Sequence, residues 1–148
     1  HRVKSGLVSL ALLRAPKFPD NTCDRGPHQF SYAIYPHKEA FEESKVMEKG
    51  YCFNNKLELT HLNVDLKNLV SIPNKNIVIE TIKVSEDKKG VIVRCYECYG
   101  SEVKTSLEIN FEHHGIKEMD MLEKDVTKDV KGELTFTPYE IKTIYIEK

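Results

Sequence analysis

The stretch Val103–Phe111, with the sequence VKTSLEINF, alternates apolar or β-branched residues with polar ones. Side chains on a strand point to the two faces of a sheet in turn. A period of two therefore predicts a strand that buries Val103, Thr105 and Leu107 on one face and leaves the other face in solvent.

Similar stretches occur along the chain and are separated by turn signals such as Asp87–Gly90 and Lys131–Gly132. The stretch His28–Tyr35 also alternates, which predicts a half-buried strand. No helical segment between the later strands is long enough for a parallel crossover, so the fold predicted is an all-β, antiparallel β-sandwich. The further predicted strands are Leu7–Leu13, Asn76–Lys83, Val91–Tyr99, Glu118–Leu122, Glu133–Phe136 and Ile141–Ile146.

One segment does not fit this pattern. Lys38–Lys49 is rich in Glu and Lys and contains neither Gly nor Pro, so it favours helix on intrinsic propensity. Its apolar residues form only a thin stripe. We expect an irregular excursion with about one helical turn, leading into a strand near Gly50–Phe53.

A change of composition lies between Leu57 and Asn76, where loop chemistry replaces strand alternation. We place a domain boundary there, with one domain at residues 1–68 and a second at residues 69–148.

The charge balance argues against nucleic acid as a partner. The 148 residues include 22 Lys and Arg against 23 Asp and Glu, so no single-sign field attracts a polyanion. The apolar run Leu7–Leu13 is too short for a membrane helix and lacks the pattern of a signal peptide. The chain begins at His1 without Met, and we interpret it as part of a longer protein.

Four cysteines would be able to form two disulfides in a secreted protein, but a domain of this size does not require them, and we expect reduced thiols in a cytosolic protein. They are Cys23, Cys52, Cys95 and Cys98. Cys95 and Cys98 have the spacing of a redox pair or of half a zinc site. On a strand, however, residues three apart point to opposite faces, and the βαβ setting of redox motifs is missing. We therefore expect structural cysteines.

Carboxylates are plentiful, and glycosidases work with a pair of them. Those considered alternate mostly with apolar residues, so the simpler interpretation is a solvated face. The sequence predicts no self-sufficient catalytic constellation and no metal site in this chain. The carboxylates considered are Glu80, Glu97, Glu108, Glu112, Glu123 and Glu140.

The loop Pro19–His28 concentrates turn-forming residues, and turn formation alone explains most of them. It does not explain why Asp24, Arg25 and His28 occur together. An exposed loop with these three side chains is able to contact a sugar hydroxyl or another domain.

Two stretches strongly resemble the C-terminal region of glycoside hydrolase family 38 α-mannosidases, most closely the cytosolic type. They are Leu10–Asp20, LALLRAPKFPD, and Asp24–His37, DRGPHQFSYAIYPH. Blocks of the second half resemble the family's VIETVK, LIVRLYE, LLE and PFEIKT; they are Val78–Lys83, Val91–Glu97, Met121–Glu123 and Thr137–Thr143.

The resemblance implies that residues 1–68 are the last strands of a mutarotase-like supersandwich and that residues 69–148 are a small C-terminal β-sandwich. It also implies a retaining enzyme that hydrolyses terminal α-linked mannose in the cytoplasm. Its catalytic carboxylates and its zinc would lie in an N-terminal barrel outside this chain. The expected partners are that barrel and the remaining supersandwich strands. A mannose-containing oligosaccharide would be reached only through the whole enzyme, and the loop at Asp24, Arg25 and His28 would approach its sugar pocket.

An alternative is an autonomous β-sandwich that binds carbohydrate or another protein. Such a module usually presents a line of exposed aromatic side chains for stacking on sugar rings. The chain has no Trp, and most of its Tyr and Phe residues lie at the spacing of core positions in strands, which counts against this alternative.

Overall fold

The computed structural model describes residues 2–56 and 67–148, which divide into a unit ending at Lys38 and a unit comprising Glu39–Lys148. The first unit contains a hairpin of β1 (Arg2–Lys4) and β2 (Leu7–Ser9). Its two-residue turn, Ser5 and Gly6, has positive φ at both positions, as the twist of a tight hairpin favours. From Leu10 to Lys38 the backbone forms no helix or strand.

The predicted strand at His28–Tyr35 was wrong. This segment has no regular secondary structure, and its apolar face is open, with Ile34 85% exposed. A strand needs a neighbour for its N–H and C=O groups, and none of the described residues supplies a ladder to this segment. Alternation in the sequence is therefore present without the pairing that makes a sheet.

The second unit begins with a helix where a strand was expected. Turns over Ala40–Ser44 lead into α1 (Val46–Asn54), so the strand predicted at Gly50–Phe53 was wrong. The side-chain amides of Asn54 and Asn55 donate to the carbonyls of Gly50 and Tyr51 and so satisfy acceptors of the last turn. No helix in the described part of the chain is long and apolar enough to cross a membrane.

Nine strands follow in the described residues, and every pairing among them is antiparallel. A five-stranded sheet has the order β4-β5-β11-β8-β9, and two ribbons are formed by β6 with β10 and by β3 with β7. The strands are β3 (Val70–Ser71), β4 (Ile77–Val84), β5 (Gly90–Glu97), β6 (Val103–Ser106), β7 (Glu108–Ile109), β8 (Gly115–Met119), β9 (Val126–Asp129), β10 (Glu133–Phe136) and β11 (Ile141–Glu147).

The core lies between the five-stranded sheet and the two ribbons. Its buried side chains come from both layers, with Val93 and Ile144 from the sheet and Val70, Val103 and Phe136 from the ribbons. The alternation predicted for Val103–Phe111 is confirmed, because Val103 and Thr105 are buried while Lys104 and Ser106 are exposed. The antiparallel β-sandwich is thus confirmed.

The predicted boundary between residues 68 and 69 stays a prediction. The composition change between Leu57 and Asn76 falls partly outside the described residues.

Replacing Ile144 tests the sandwich core directly. Ile144 is fully buried on β11, and Ile144→Ala should lower the free energy of unfolding in urea by about 2–5 kcal/mol through lost burial and a cavity. Ile141 begins the same strand and is 58% exposed, so Ile141→Ala should cost less than about 1 kcal/mol. Equal losses for the two variants would contradict this placement of the core.

Candidate functional site

The loop at residues 20–28 is built by local hydrogen bonds. Thr22 donates both its backbone N–H and its hydroxyl to Asp20 Oδ1, at 2.8 and 2.7 Å. These bonds, the hydroxyl bond first, lower the pKa of the Asp20 carboxyl. Cys23 Sγ lies 3.0 Å from the carbonyl oxygen of Pro16, which ties the loop to the preceding segment. The Asp20 carboxylate therefore organises the start of the loop.

The three predicted site residues follow within this loop. Asp24 has a φ of 57°, and the Arg25 N–H donates to the carbonyl of Thr22 at 3.3 Å. His28 Nε2 lies 2.9 Å from the carbonyl oxygen of Asp24, and its ring stacks on Phe30 with 6.0 Å between centroids. The structure thus joins His28 to the backbone of Asp24, and all three residues are exposed. Their role at a sugar pocket stays a prediction.

Glu97 is a buried carboxylate that sequence reasoning assigned to the solvated face. Its residue is only 1% exposed, and its oxygens accept the N–H groups of Tyr99, Gly100 and Tyr139 at 2.9, 2.7 and 3.0 Å. Burial by itself raises the pKa of Glu97, but the backbone donors, Tyr139 first, outweigh it and the net pKa is lowered. The carboxylate is therefore charged at neutral pH.

Glu97 joins loops from distant parts of the second unit. Tyr99 and Gly100 belong to the turn after β5, whereas Tyr139 belongs to the turn before β11. The Tyr99 hydroxyl in turn donates to the carbonyl of Ser44 at 3.2 Å, and its ring meets Phe41 edge-on at 5.6 Å. One carboxylate thus fixes the turns at this end of the sandwich.

The sequence did contain a signal for this position. Val91, Val93 and Cys95 face the core from β5, and Glu97 follows them at the same period of two. Continuing the alternation by one step places Glu97 on the buried face.

Two further carboxylates, those of Glu118 and Glu140, are bound by one lysine. Lys142 Nζ lies 2.8 Å from both Glu118 Oε1 and Glu140 Oε1 and 5.5 Å from the centre of the Phe136 ring. Burial favours the neutral lysine, yet the bonds to Glu118 and Glu140 outweigh it, so the pKa of Lys142 is raised. The group is an ion-pair network in which a buried lysine is shared by two partly exposed carboxylates.

The carboxylates of Glu97, Glu123 and Glu140 are unsuited to general acid catalysis. A general acid at neutral pH needs a raised pKa. For Glu97, Glu123 and Glu140, burial acts in that direction, but hydrogen bonds and nearby cations outweigh it and lower the pKa. The assignment of Glu97 and Glu123 to a solvated face was wrong, because each buried carboxylate finds donors in distant segments. Their arrangement supports structure rather than bond cleavage.

The cysteines are free thiols, and Cys95 lies in the core. Burial raises the pKa of Cys95 to about 12, which keeps the thiol protonated and unreactive at neutral pH. This disfavours the redox hypothesis for Cys95 and Cys98. Within residues 2–56 and 67–148, no group of three or more His, Cys, Asp or Glu is placed to hold a metal ion. The expectation about zinc stays a prediction.

Comparison with known proteins shows that the chain is similar to one protein family. Residues 76–144 match the model described as "Glycosyl hydrolases family 38 C-terminal beta sandwich domain". The chain is 33% identical to Alpha-mannosidase G of Dictyostelium discoideum over 93% of its length, and 30% identical to Alpha-mannosidase 2C1 of Homo sapiens over 97%. It is also 33% identical to Alpha-mannosidase of Saccharomyces cerevisiae over 84%. The chain covers only 14%, 15% and 13% of these three relatives, respectively.

Replacing Glu97 by Gln tests the buried carboxylate. Gln keeps the shape but loses the charge that three N–H groups share, so Glu97→Gln should destabilise the chain by about 2–3 kcal/mol at pH 7. Because folding lowers the pKa of Glu97, the stabilisation is present above the unfolded value of about 4.3 and is lost as pH falls through the folded pKa.

The measurement is urea unfolding at several pH values, with Glu102→Gln as control because Glu102 is an exposed glutamate close by. Its change should stay within about 0.5 kcal/mol. The difference in free energy of unfolding between Glu97→Gln and the unsubstituted chain should become smaller in acid. If it does not, the assignment of a charged, buried Glu97 would be contradicted.

Proposed function

We propose that this chain, which belongs to glycoside hydrolase family 38 through its C-terminal β-sandwich domain, is an accessory and non-catalytic region of a larger enzyme. That enzyme is a cytoplasmic, retaining α-mannosidase that hydrolyses terminal α-linked mannose. The observation that carries the proposal is the match of 93% of the chain to a region that is 14% of one α-mannosidase. The relative thus has most of its polypeptide outside the region that this chain resembles.

The exposed apolar residues of the first unit support a partner within the same polypeptide. Val8, Leu12, Phe30, Tyr32 and Ile34 are all exposed, and from Leu10 to Lys38 there is no ladder. Exposed apolar segments that form no β-ladder within the described residues are suited to pairing with further strands. We propose that residues 1–68 complete a mutarotase-like supersandwich of the enzyme, with a boundary to the small sandwich at residues 69–148.

Residues 20–28 carry the proposed contribution to the sugar pocket. Hydrogen bonds within the loop hold its backbone, and Asp24, Arg25 and His28 are exposed. Their polar groups would bond a sugar hydroxyl or brace a residue of the catalytic barrel. Such a contribution orients the substrate, while the catalytic carboxylates and the zinc belong to the barrel.

An exchange of regions tests the proposal. The part of human Alpha-mannosidase 2C1 that matches this chain is replaced by this chain, and hydrolysis of an aryl α-mannoside is measured. We expect kcat/KM within about tenfold of the human enzyme, because accessory packing should alter the barrier by no more than about 1.4 kcal/mol. The chain alone should show no turnover.

The matched control carries the corresponding region of the Dictyostelium relative. An active control beside an inactive exchange with this chain would overturn the proposed role. Turnover by the pure chain would overturn its non-catalytic assignment.

Loop variants within the active exchange protein test the contact with substrate. Arg25→Ala and His28→Ala should each lower kcat/KM about tenfold by removing an orienting group. Gln29→Ala is the control, since Gln29 is an exposed neighbour of His28, and its effect should stay below about twofold. Unchanged kinetics for both loop variants would contradict the proposed contact.

A further inference from the structure

The turn that joins β8 to β9 has an unusual sequence at its centre. The Glu123 N–H donates to the carbonyl of Asp120 at 3.1 Å, which makes Asp120–Glu123 a β-turn with Met121 and Leu122 at its two central positions. The Asp120 carboxylate also accepts the N–H of Lys124 at 2.8 Å. The backbone of the turn is therefore well defined.

Apolar residues are rare choices for such positions. Turn centres favour Gly, Pro, Asn, Asp and Ser, each for a backbone or hydrogen-bonding reason. Met121 and Leu122 are 60% and 68% exposed, and Val126, which begins β9, is exposed as well. Neither the turn nor the core accounts for a Met-Leu pair in solvent. Departures from local sequence rules occur mainly at functional sites.

A buried carboxylate fixes this turn on the sheet. The Glu123 side chain is only 4% exposed; its Oε1 lies 2.9 Å from Lys83 Nζ and 3.0 Å from Arg94 Nη2. Its Oε2 accepts the N–H of Glu86 at 3.0 Å. Burial raises the pKa of Glu123, but the bond from Lys83 and the other donors outweigh this effect and lower the pKa. Glu123 is therefore charged at neutral pH, and we call Glu123 with Lys83 and Arg94 the clamp.

The clamp also holds the apolar positions themselves. Arg94 Nη2 donates to the carbonyl of Met121 at 2.9 Å. Glu123 adopts a φ of 62°, a left-handed conformation that costs a non-glycine residue energy and persists only where its surroundings hold it. The chain thus places two exposed apolar side chains on a rigid turn, which limits the conformational entropy lost when they are buried.

We propose that the Met121–Leu122 turn is a docking point that inserts into an apolar surface on another part of the same α-mannosidase polypeptide. This inference rests on the proposed function. The length of the relatives supports this choice of partner surface. The chain corresponds to 14% of the Dictyostelium relative and 15% of the human one. In an enzyme of that length, the rest of the polypeptide offers by far the most covalently linked surface. A linked surface acts at high effective concentration, so a contact of two side chains is sufficient there.

The test uses a double variant that carries both Met121→Ser and Leu122→Ser. It is measured in the isolated chain and in the exchange protein. In this chain alone, the urea midpoint should not change, since both side chains are exposed. In the exchange protein with the human enzyme, the half-life of α-mannosidase activity at elevated temperature should fall about tenfold or more, because two buried apolar anchors are lost.

The matched control is Leu69→Ser with Val84→Ser, a pair that is similarly exposed on the same unit, at 58% and 63%. Its half-life should stay within about twofold of the unsubstituted exchange protein. Equal half-lives for the two double variants would overturn the docking point. If the exchange protein is active, the proposed function would still stand. An inactive exchange protein beside an active Dictyostelium control would instead overturn the proposed function.

Two other outcomes would also overturn the inference. Destabilisation of the isolated chain by the Met121 and Leu122 changes would show that the pair serves folding of the sandwich. A dimer of the isolated chain that these changes dissociate, seen by sedimentation, would show that a second copy is the occupant.

Discussion

The second unit depends on the pairing of β11 with strands on both of its sides. Its register with β5 runs from Ile141 to Glu147, and its register with β8 runs from Thr143 to Glu147. Ile144 and Ile146 enter the core from one face, while Thr143 and Tyr145 are buried on the other. Because β11 is central and covered on both faces, the five-stranded sheet, the ribbons packed on it and the turns at its ends require this strand in place.

The contrast between two alternating stretches shows what the sequence pattern is able to predict. Val103–Phe111 alternates, and its strands pair with β10 and β3, so the pattern led to the correct burial. His28–Tyr35 alternates equally well, yet in the described residues it lies open. Alternation reports the face that a strand would bury, whereas pairing depends on distant segments. Helix α1 was missed at Gly50–Phe53 although the bonds that complete its last turn are local, because they come from the side-chain amides of Asn54 and Asn55.

The buried carboxylates show the corresponding limit for polar groups. Glu97 and Glu123 look like surface residues because Glu is mostly exposed in proteins. Their burial is stabilised by donors that come from elsewhere in the chain: Tyr139 for Glu97, and Lys83 and Arg94 for Glu123. The alternation along β5 indicated that Glu97 faces inward. No sequence pattern, however, identified the N–H groups that satisfy the buried carboxylate. By contrast, the turn character of the loop at Asp20–His28 followed from the sequence because its bonds are local.

The apolar residues fall into two classes, those that other parts of the chain cover and those that are exposed to solvent. Those of the sandwich core are covered by strands from the same unit, and the charged side chains that enter this unit's interior are paired. Those of residues 7–35 and of the Met121–Leu122 turn remain in solvent, although the turn is held by a charged clamp and a strained backbone. If nothing covered the exposed Met and Leu side chains, replacing them with polar residues would increase the solubility of the chain. The exposed Met121 and Leu122 side chains on a hydrogen-bonded turn are better explained by a surface that buries them, and this supports the proposal that the chain is one part of a larger enzyme.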